Sequence, residues 1–275
     1  MGALSTATAR NKQHDVFRRA DSGLAFPEMP LDSSVTPSKP KQVTESEYWD
    51  KYYDYADVSY EWNNGLLEEK PVSDHENVLM YLWFVELLRE FLRVKRVANL
   101  TVLEMGFKMN LPHKTVIRKP DLGVVLNNNP IPLQLQDRSY KGVCDMCIEV
   151  VSDSKPEEIE RDTDTKLGEY EAAGVKEYYI LYTKGDAMAF YRLNRHGVYV
   201  PIKPVFGDVI QSQVLPCFQF RISDLLNQPT PEQMAFDSVY EKFVLPYYQA
   251  EKKARQAAEE KIKRLEAKMA RLIKS

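Results

Sequence analysis

Cys147-Ile148-Glu149-Val150-Val151-Ser152 is an apolar stretch with a single carboxylate inside it. The surrounding segment, residues 144–151, is apolar apart from Asp145 and Glu149, which predicts a buried central strand. A carboxylate buried on such a strand is costly unless it is paired or binds a metal. Glu149 is therefore a candidate functional residue, with an outward orientation or an arginine partner as the simpler alternative.

Two more candidates flank this strand along the chain. Asp121 follows Arg118-Lys119-Pro120 and opens a predicted strand over residues 122–126, because the proline sets an extended entry. Lys166 lies on a predicted helix over residues 155–173, four residues after Asp162 and so on the same helical face. Taken singly, these are an ordinary turn aspartate and a surface lysine. Together with Glu149 they suggest phosphodiester hydrolysis: two carboxylates hold Mg²⁺, and a lysine positions or deprotonates water.

The order of the predicted elements is helix, hairpin, helix, strands, helix, strands, which indicates a mixed α/β or α+β fold. Capping-box patterns at Thr44–Glu47 and Ser73–Glu76 open two helices, and Asn64-Gly65 predicts a hairpin turn. Residues 101–109 and 116–126 are predicted to be strands. We expect three regions: a disordered leader over 1–40, a nuclease-like domain over 41–228, and a helical extension over 229–275.

Charge is distributed unevenly over the 275 residues. The net charge is −3, but residues 251–275 carry nine Lys/Arg and four Glu, so this tail has +5 and the rest −8. Ala258, Ile262, Leu265, Met269 and Leu272 step by four and three, the pattern of a short coiled coil. The tail therefore predicts a homodimer or higher homo-oligomer. Three cysteines, no apolar leader and no long apolar run favour a cytoplasmic protein without membrane contact.

Several motifs in one order resemble the Uma2 family, restriction-endonuclease-like proteins that are abundant in cyanobacteria and belong to the PD-(D/E)XK superfamily. The resemblance covers roughly residues 42–226. It is carried by Tyr60-Glu61-x-x-x-Gly65, Ser73-x-His75, Lys119-Pro120-Asp121 through Val125, Ile148-Glu149-Val150-Val151-Ser152, Arg161-Asp162-x-x-x-Lys166-x-x-x-Tyr170, and Gly174-Val175-x-Glu177-Tyr178-Tyr179-Ile180.

This resemblance implies a central mixed sheet flanked by helices, with Asp121 and Glu149 as ligands of Mg²⁺ or Mn²⁺ and the Val150 carbonyl beside them. In the plain superfamily pattern, a lysine follows the acidic residue by two positions, where this chain has Val151. Members of the family resemble one another in a migrated lysine, so the resemblance assigns that role to Lys166. Glu61 is a further candidate ligand.

The remaining candidates have two interpretations each. His75 orients water or phosphate, or simply begins its helix. Asp162 and Tyr170 are expected to support Lys166 from its own helical face. Arg118 and Lys119 border a phosphate groove, or belong to a solvated charged hairpin.

We expect a metal-dependent endonuclease that hydrolyses DNA phosphodiester bonds, with RNA or a structured DNA as the alternative substrate. The alternative is an inactive nuclease fold that serves as a binding or assembly module through its C-terminal helix. Val151 and the acidic body favour this alternative.

Overall fold

The computed structural model describes residues 41–54, 58–152 and 155–273, so the predicted leader over 1–40 lies outside the described residues. The helices in these ranges are α1 (Glu45–Lys51), α2 (His75–Val94), α3 (Pro156–Glu160), α4 (Lys166–Ala173), α5 (Asp224–Asn227), α6 (Pro231–Met234) and α7 (Pro246–Ile273), with a π-helical turn (Arg161–Thr165) between α3 and α4 and a 3₁₀ turn at Gly185–Ala187. Across the same ranges, no helix combines the length and apolar character needed to cross a membrane.

The strands form three sheets. They are β1 (Tyr60–Asn63), β2 (Leu66–Glu69), β3 (Ala98–Thr101), β4 (Phe107–Asn110), β5 (Thr115–Arg118), β6 (Leu122–Leu126), β7 (Met146–Val150), β8 (Glu177–Leu181), β9 (Ala189–Leu193), β10 (Tyr199–Pro201), β11 (Val209–Gln211) and β12 (Gln219–Arg221). The largest sheet has the order β10-β9-β8-β7-β6-β3, a second has β2-β1-β5-β4, and β11 pairs with β12.

The large sheet is mixed, as the sequence predicts. Strand β7 pairs with β8 in parallel and with β6 antiparallel. A parallel pair needs a crossover, and α3, the π-helical turn and α4 supply it between β7 and β8. Both strands are buried along their whole length, which accounts for their nearly continuous apolar sequences. The predicted mixed α+β fold is confirmed.

Helices cover both faces of this sheet. Helix α2 begins at the N-cap Asp74, whose side chain accepts a hydrogen bond from the Asn77 N–H, one residue later than the predicted cap Ser73. Its buried stripe packs with alternate residues of β7 in one core, and it comprises Met80, Phe84, Leu87, Leu88 and Phe91. Tyr170 of α4 packs with Cys147 and Val151 in the core on the other face.

The predicted hairpin at Asn64-Gly65 is present, and it joins β1 to β2 in the smaller sheet. Both turn residues have positive φ (47° and 102°), which this pair tolerates with little strain. Helix α1 likewise begins with the predicted capping box at Thr44 and Glu47. The smaller sheet brings β1 and β5, with the polar side chains of Glu61 and Arg118, next to the crossover helix.

Two predicted strands are each divided between the two larger sheets. Residues 101–109 contain the end of β3 and β4, separated by a loop in which Leu103 and Glu104 both have positive φ (55° and 66°). Residues 116–126 contain most of β5 and all of β6, separated at Pro120, which has no N–H for a sheet ladder. The prediction of one continuous strand in each segment is wrong. The strand predicted over residues 122–126 is confirmed as β6, and Asp121 lies at the break before it.

The C-terminal extension has a packed part and an exposed part. Between α6 and α7, the chain packs against the core that contains α2, through Val239, Tyr240, Phe243 and Val244. Only α7 continues away from this packing: Gln249 is buried, whereas all residues from 250 to 272 are exposed.

Candidate active site

Asp121 lies where the chain passes from the smaller sheet into β6. Its Oδ2 accepts a hydrogen bond from the N–H of Val150 at 2.7 Å, and its Oδ1 lies 3.0 Å from Nζ of Lys70. The hydroxyl of Tyr81 donates to the Asp121 carbonyl oxygen at 2.9 Å. The side chain remains 27% exposed, so it is reachable by small solutes.

Asp121 lines a cavity of about 220 Å³ between the start of α2 and the loop that joins β3 to β4. The lining residues are Ser73, Val78, Tyr81, Leu103, Glu104, Asp121 and Val150. The cavity therefore adjoins the place where the two larger sheets separate. Pro120 interrupts the strand hydrogen bonds there, as do Leu103 and Glu104 with their positive φ angles. Open space next to a partly exposed carboxylate is the first requirement of a site for a small ligand.

Glu149 of β7 meets Lys166 of α4. Nζ of Lys166 lies 3.1 Å from Oε2 of Glu149, while the hydroxyl of Tyr170 donates to Oε1 of Glu149 at 2.7 Å. Only 1% of the Glu149 side chain and 3% of the Lys166 side chain are exposed. The structure thus brings together the candidate carboxylate and the candidate lysine, which are 17 positions apart in the sequence.

Three carboxylates surround this one ammonium group. Besides Glu149, Nζ of Lys166 lies 2.9 Å from Oδ1 of Asp162 and 3.7 Å from Oε2 of Glu61. Burial acts to lower the pKa of Lys166, but the three carboxylates outweigh it and raise this pKa well above its usual range. The ammonium therefore stays protonated, and Lys166 acts as a positive charge and hydrogen-bond donor rather than as a base.

The carboxylates respond differently to this environment. Burial raises the pKa of Glu149 to about 8 against the opposing charge of Lys166, and the neighbouring charge of Asp121 adds to the increase. Burial also acts to raise the pKa of Glu61, but Lys166 and Arg118 together lower it to about 2. Burial raises the pKa of Asp162 as well. Glu149 must therefore lose a proton before it can bind a cation.

The π-helical turn places Lys166 in this position. The N–H of Lys166 donates to the carbonyl of Arg161, five residues earlier, so the turn contains one more residue than an α-helical turn. Asp162 and Lys166, four residues apart across this turn, point into the same buried pocket although the surrounding segment is polar. The sequence predicts one helix across this region, and the local residue types contain no signal for the π turn.

A buried arginine connects the site to the smaller sheet. Arg118 is fully buried and donates to Glu169 through Nε at 2.6 Å and Nη2 at 2.8 Å. Its Nη1 donates to Glu61 at 3.1 Å and also contacts Glu68. Glu61 in turn accepts from the Lys119 N–H at 2.7 Å. Both side chains are buried, so a solvated charged hairpin does not describe Arg118 and Lys119, and their border on a phosphate groove stays a prediction.

His75 and Lys70 differ in their exposure and contacts. His75 is exposed on the first turn of α2. Lys70, which the sequence analysis did not single out, is buried between three acceptors: the Lys119 carbonyl at 2.7 Å, Asp121 at 3.0 Å and Glu104 at 3.3 Å. Lys70 follows the hairpin without any distinguishing motif, so only the folded chain shows its proximity to Asp121.

These residues fit a hard divalent cation with few protein ligands. Within the described ranges, no group of three or more His, Cys, Asp or Glu side chains is arranged as a metal cage. Mg²⁺ commonly uses one or two carboxylates and several waters. Asp121 offers a partly exposed carboxylate beside an open cavity, whereas both oxygens of buried Glu149 contact Lys166 and Tyr170, so metal binding by Glu149 would require one of these contacts to open. Val150 joins these two residues, because it follows Glu149 and donates its N–H to Asp121.

A central mixed sheet with helices on both faces and acidic residues at adjacent strands belongs to the restriction-endonuclease-like class of fold. A solved structure with this fold is the crystal structure of "a putative nuclease belonging to DUF820 from Anabaena variabilis ATCC 29413". It is 14% identical to this chain, with a TM-score of 0.52, and the match covers 68% of this chain and 98% of that one.

The chain belongs to the Uma2 family. The family model, described as "Putative restriction endonuclease", matches residues 46–223. Membership of this family indicates a nuclease. A search of curated proteins finds no match.

Proposed function

We propose that the chain is a metal-dependent endonuclease that hydrolyses DNA phosphodiester bonds. The observation that carries this proposal is the 3.1 Å contact between Lys166 and Glu149. It supplies an ammonium group beside the proposed acidic site although Val151 stands at the usual position of the lysine. A buried cation next to reacting phosphate stabilises the negative charge that develops during hydrolysis.

In this proposal, Asp121, Glu149 and the Val150 carbonyl would hold Mg²⁺ or Mn²⁺, which would supply charge neutralisation for the phosphate. Lys166 donates a hydrogen bond through Nζ to the attacking water or to a phosphate oxygen. Its raised pKa makes it a donor at neutral pH, so removal of the water's proton falls to another acceptor.

The other site residues have supporting roles in the proposal. Asp162 and Tyr170 hold Lys166 and Glu149 in place through contacts of 2.9 Å and 2.7 Å. Glu61 has both carboxylate oxygens engaged, one with the Lys119 N–H and the other with Arg118, so a place as a further metal ligand would require one of these contacts to open. His75 remains a proposed contact for water or phosphate.

Plasmid cleavage tests the proposal directly. Supercoiled DNA is incubated with Mg²⁺ or Mn²⁺ and with wild-type protein, Asp121→Ala, Lys166→Ala, or the control Lys51→Ala, whose lysine is exposed in α1. We expect nicking by wild type and Lys51→Ala and a loss of at least about a hundredfold in the two site variants, the scale for removing a charge-stabilising group. Equal cleavage by all four proteins would contradict the assignment. Parallel reactions with RNA decide between the two nucleic acids.

The second candidate is an inactive nuclease fold that acts as a binding or assembly module. Two observations favour it: Val151 replaces the usual lysine, and both oxygens of Asp121 already have partners in Lys70 and Val150. Calorimetry with Mg²⁺ and Mn²⁺ distinguishes the candidates, because a module of this kind needs no divalent ion.

A location in the cytoplasm stays a prediction from the sequence.

A further inference from the structure

Helix α7 leaves the packed part of the chain soon after it begins. Gln249 is buried, and its Nε2 donates to the carbonyls of Glu241 at 2.7 Å and Val244 at 2.8 Å. From residue 250 to residue 272, every residue is exposed. At 1.5 Å per residue, this exposed part of α7 is about 35 Å long.

An apolar seam runs along this exposed helix. Its members are Ala258, Ile262, Leu265, Met269 and Leu272, which recur at alternating steps of four and three residues. The side chains of Ile262, Leu265 and Met269 are 54%, 51% and 62% exposed, although each is apolar. An exposed stripe with this 3.5-residue period is the pattern that a partner helix covers in a coiled coil.

The residue types in the seam favour two strands. In heptad positions a to g, Ile262 and Met269 occupy a, and Ala258, Leu265 and Leu272 occupy d. A β-branched residue at a together with leucine at d favours a two-stranded parallel coil over a trimer or tetramer. The occupant that fits this seam is therefore a second copy of the same helix.

The charges beside the seam specify the relative direction of the two helices. Position g holds Lys261 and Lys268, and position e holds Glu259 and Glu266. In a parallel pair, a g residue faces the e residue five positions later in the partner, so Lys261 would meet Glu266 of the other copy. An antiparallel pair brings g to g and e to e, which would place lysine against lysine and glutamate against glutamate.

We propose that two copies of this chain associate through α7 as a parallel two-stranded coiled coil over residues 258–272. Because two heptads form only a short coil, the association is weak, and the dimer forms only as the protein concentration rises. Both folded bodies lie at the same end of the coil. This inference stands on α7 alone and does not depend on the proposed nuclease activity.

Sedimentation of the full chain tests the stoichiometry and the charge pairing together. We expect wild type to pass from 31.8 kDa to twice that mass as concentration rises. Lys261→Glu should weaken the dimer about tenfold, since it replaces two attractive pairs with two repulsive ones. Lys261→Glu combined with Glu266→Lys should restore wild-type association. Lys263→Glu makes the same charge change at position b, outside the g and e sites, and it should change the association less than about threefold.

Cross-linking tests the direction. Ala258→Cys is made together with Cys217→Ser, which removes the exposed native cysteine and leaves the buried Cys144 and Cys147. In a parallel coil the new thiols face each other at one end of the seam, so mild oxidation should give a disulfide-linked dimer. In an antiparallel coil they would lie at opposite ends, about 20 Å apart.

Three results would overturn the proposal. The first is a chain that stays monomeric throughout the concentration range. The second is an assembly larger than a dimer. The third is a dimer that neither responds to Lys261→Glu nor forms the cross-link, which would show that another surface or direction holds it together.

Discussion

Nζ of Lys70 lies 3.0 Å from Oδ1 of Asp121, the oxygen of this carboxylate that does not accept the Val150 N–H. Burial acts to lower the pKa of Lys70, but Asp121 and Glu149 raise it above its usual range, so the group is a cation at neutral pH. A positive charge thus already satisfies the aspartate that we propose as a metal ligand. A divalent cation at Asp121 would have to displace this ammonium group or share the carboxylate with it.

We therefore predict that Lys70→Met strengthens divalent-metal binding. Removing a competing ammonium should lower the dissociation constant for Mn²⁺ about tenfold, equivalent to roughly 1.4 kcal/mol. Isothermal titration calorimetry measures this, with Lys108→Met as the matched control, because Lys108 pairs with Glu45 in α1 rather than with a site residue. Unchanged or weaker binding in Lys70→Met would show that the lysine does not compete with the metal.

The middle of the central sheet could be predicted from the sequence because β6, β7 and β8 are mostly apolar runs of five residues. The predicted strand over residues 144–151 and the predicted helix over residues 155–173 correspond to β7 and to the crossover, and Gly174 ends α4 with a φ of 83°, a conformation that glycine adopts readily. The family motifs also predicted that Asp121 lies next to the strand that contains Glu149. These features depend on local patterns, which a single sequence contains.

Other features depend on contacts between distant parts of the chain. The break of residues 101–109 into two strands requires positive φ at Leu103 and Glu104, and neither residue type signals it. Lys70 approaches Asp121 only because the smaller sheet packs beside β6. The π-helical turn before Lys166 is favoured by the buried ion pairs that it permits, rather than by the helix propensity of its residues.

Replacement of Lys166 by methionine should destabilise the fold as well as impair catalysis. The variant would leave Asp162, Glu149 and Glu61 without their shared ammonium, and removal of one partner from a buried ion pair typically costs about 3–5 kcal/mol. Urea denaturation measures the change. Lys51→Met, which removes an exposed partner of Glu47, should change the unfolding free energy by less than about 1 kcal/mol. Similar stability in both variants would contradict a structural role for Lys166.

Glu61 should make a pH-dependent contribution to stability. Its pKa falls from 4.5 to about 2 on folding, because Lys166 and Arg118 outweigh the effect of burial. A carboxyl with a lowered folded-state pKa stabilises the protein fully above its unfolded pKa and loses this contribution as the pH falls towards its folded pKa. The contribution is therefore complete at pH 7 and decreases between about pH 4.5 and 2.

The matching variant is Glu61→Gln. At pH 7 it should lower the unfolding free energy by roughly 3–5 kcal/mol, the scale for breaking a buried ion pair. This difference from wild type should shrink as the pH is lowered from about 4.5 towards 2, since the unfolded wild-type chain takes up a proton on Glu61 there before the folded protein does. Urea denaturation across this range measures it. A constant difference at all pH values would mean that the loss comes from packing and not from the charge of Glu61.

Gly123 in β6 is expected to tolerate no side chain, because it lies directly opposite Thr101 of β3. A Cβ at Gly123 would lie 2.2 Å from Oγ1 of Thr101 and 3.0 Å from Sγ of Cys144, closer than atoms can pack. Gly123→Ala should therefore destabilise the protein by about 1–3 kcal/mol, the usual cost of overpacking. Thr101→Ala removes the Oγ1 atom and leaves a Cβ 3.6 Å away, so the double variant should recover much of the loss. Thermal unfolding of the two single variants and the double variant measures this coupling, and additive losses would show that β3 and β6 do not meet at this position.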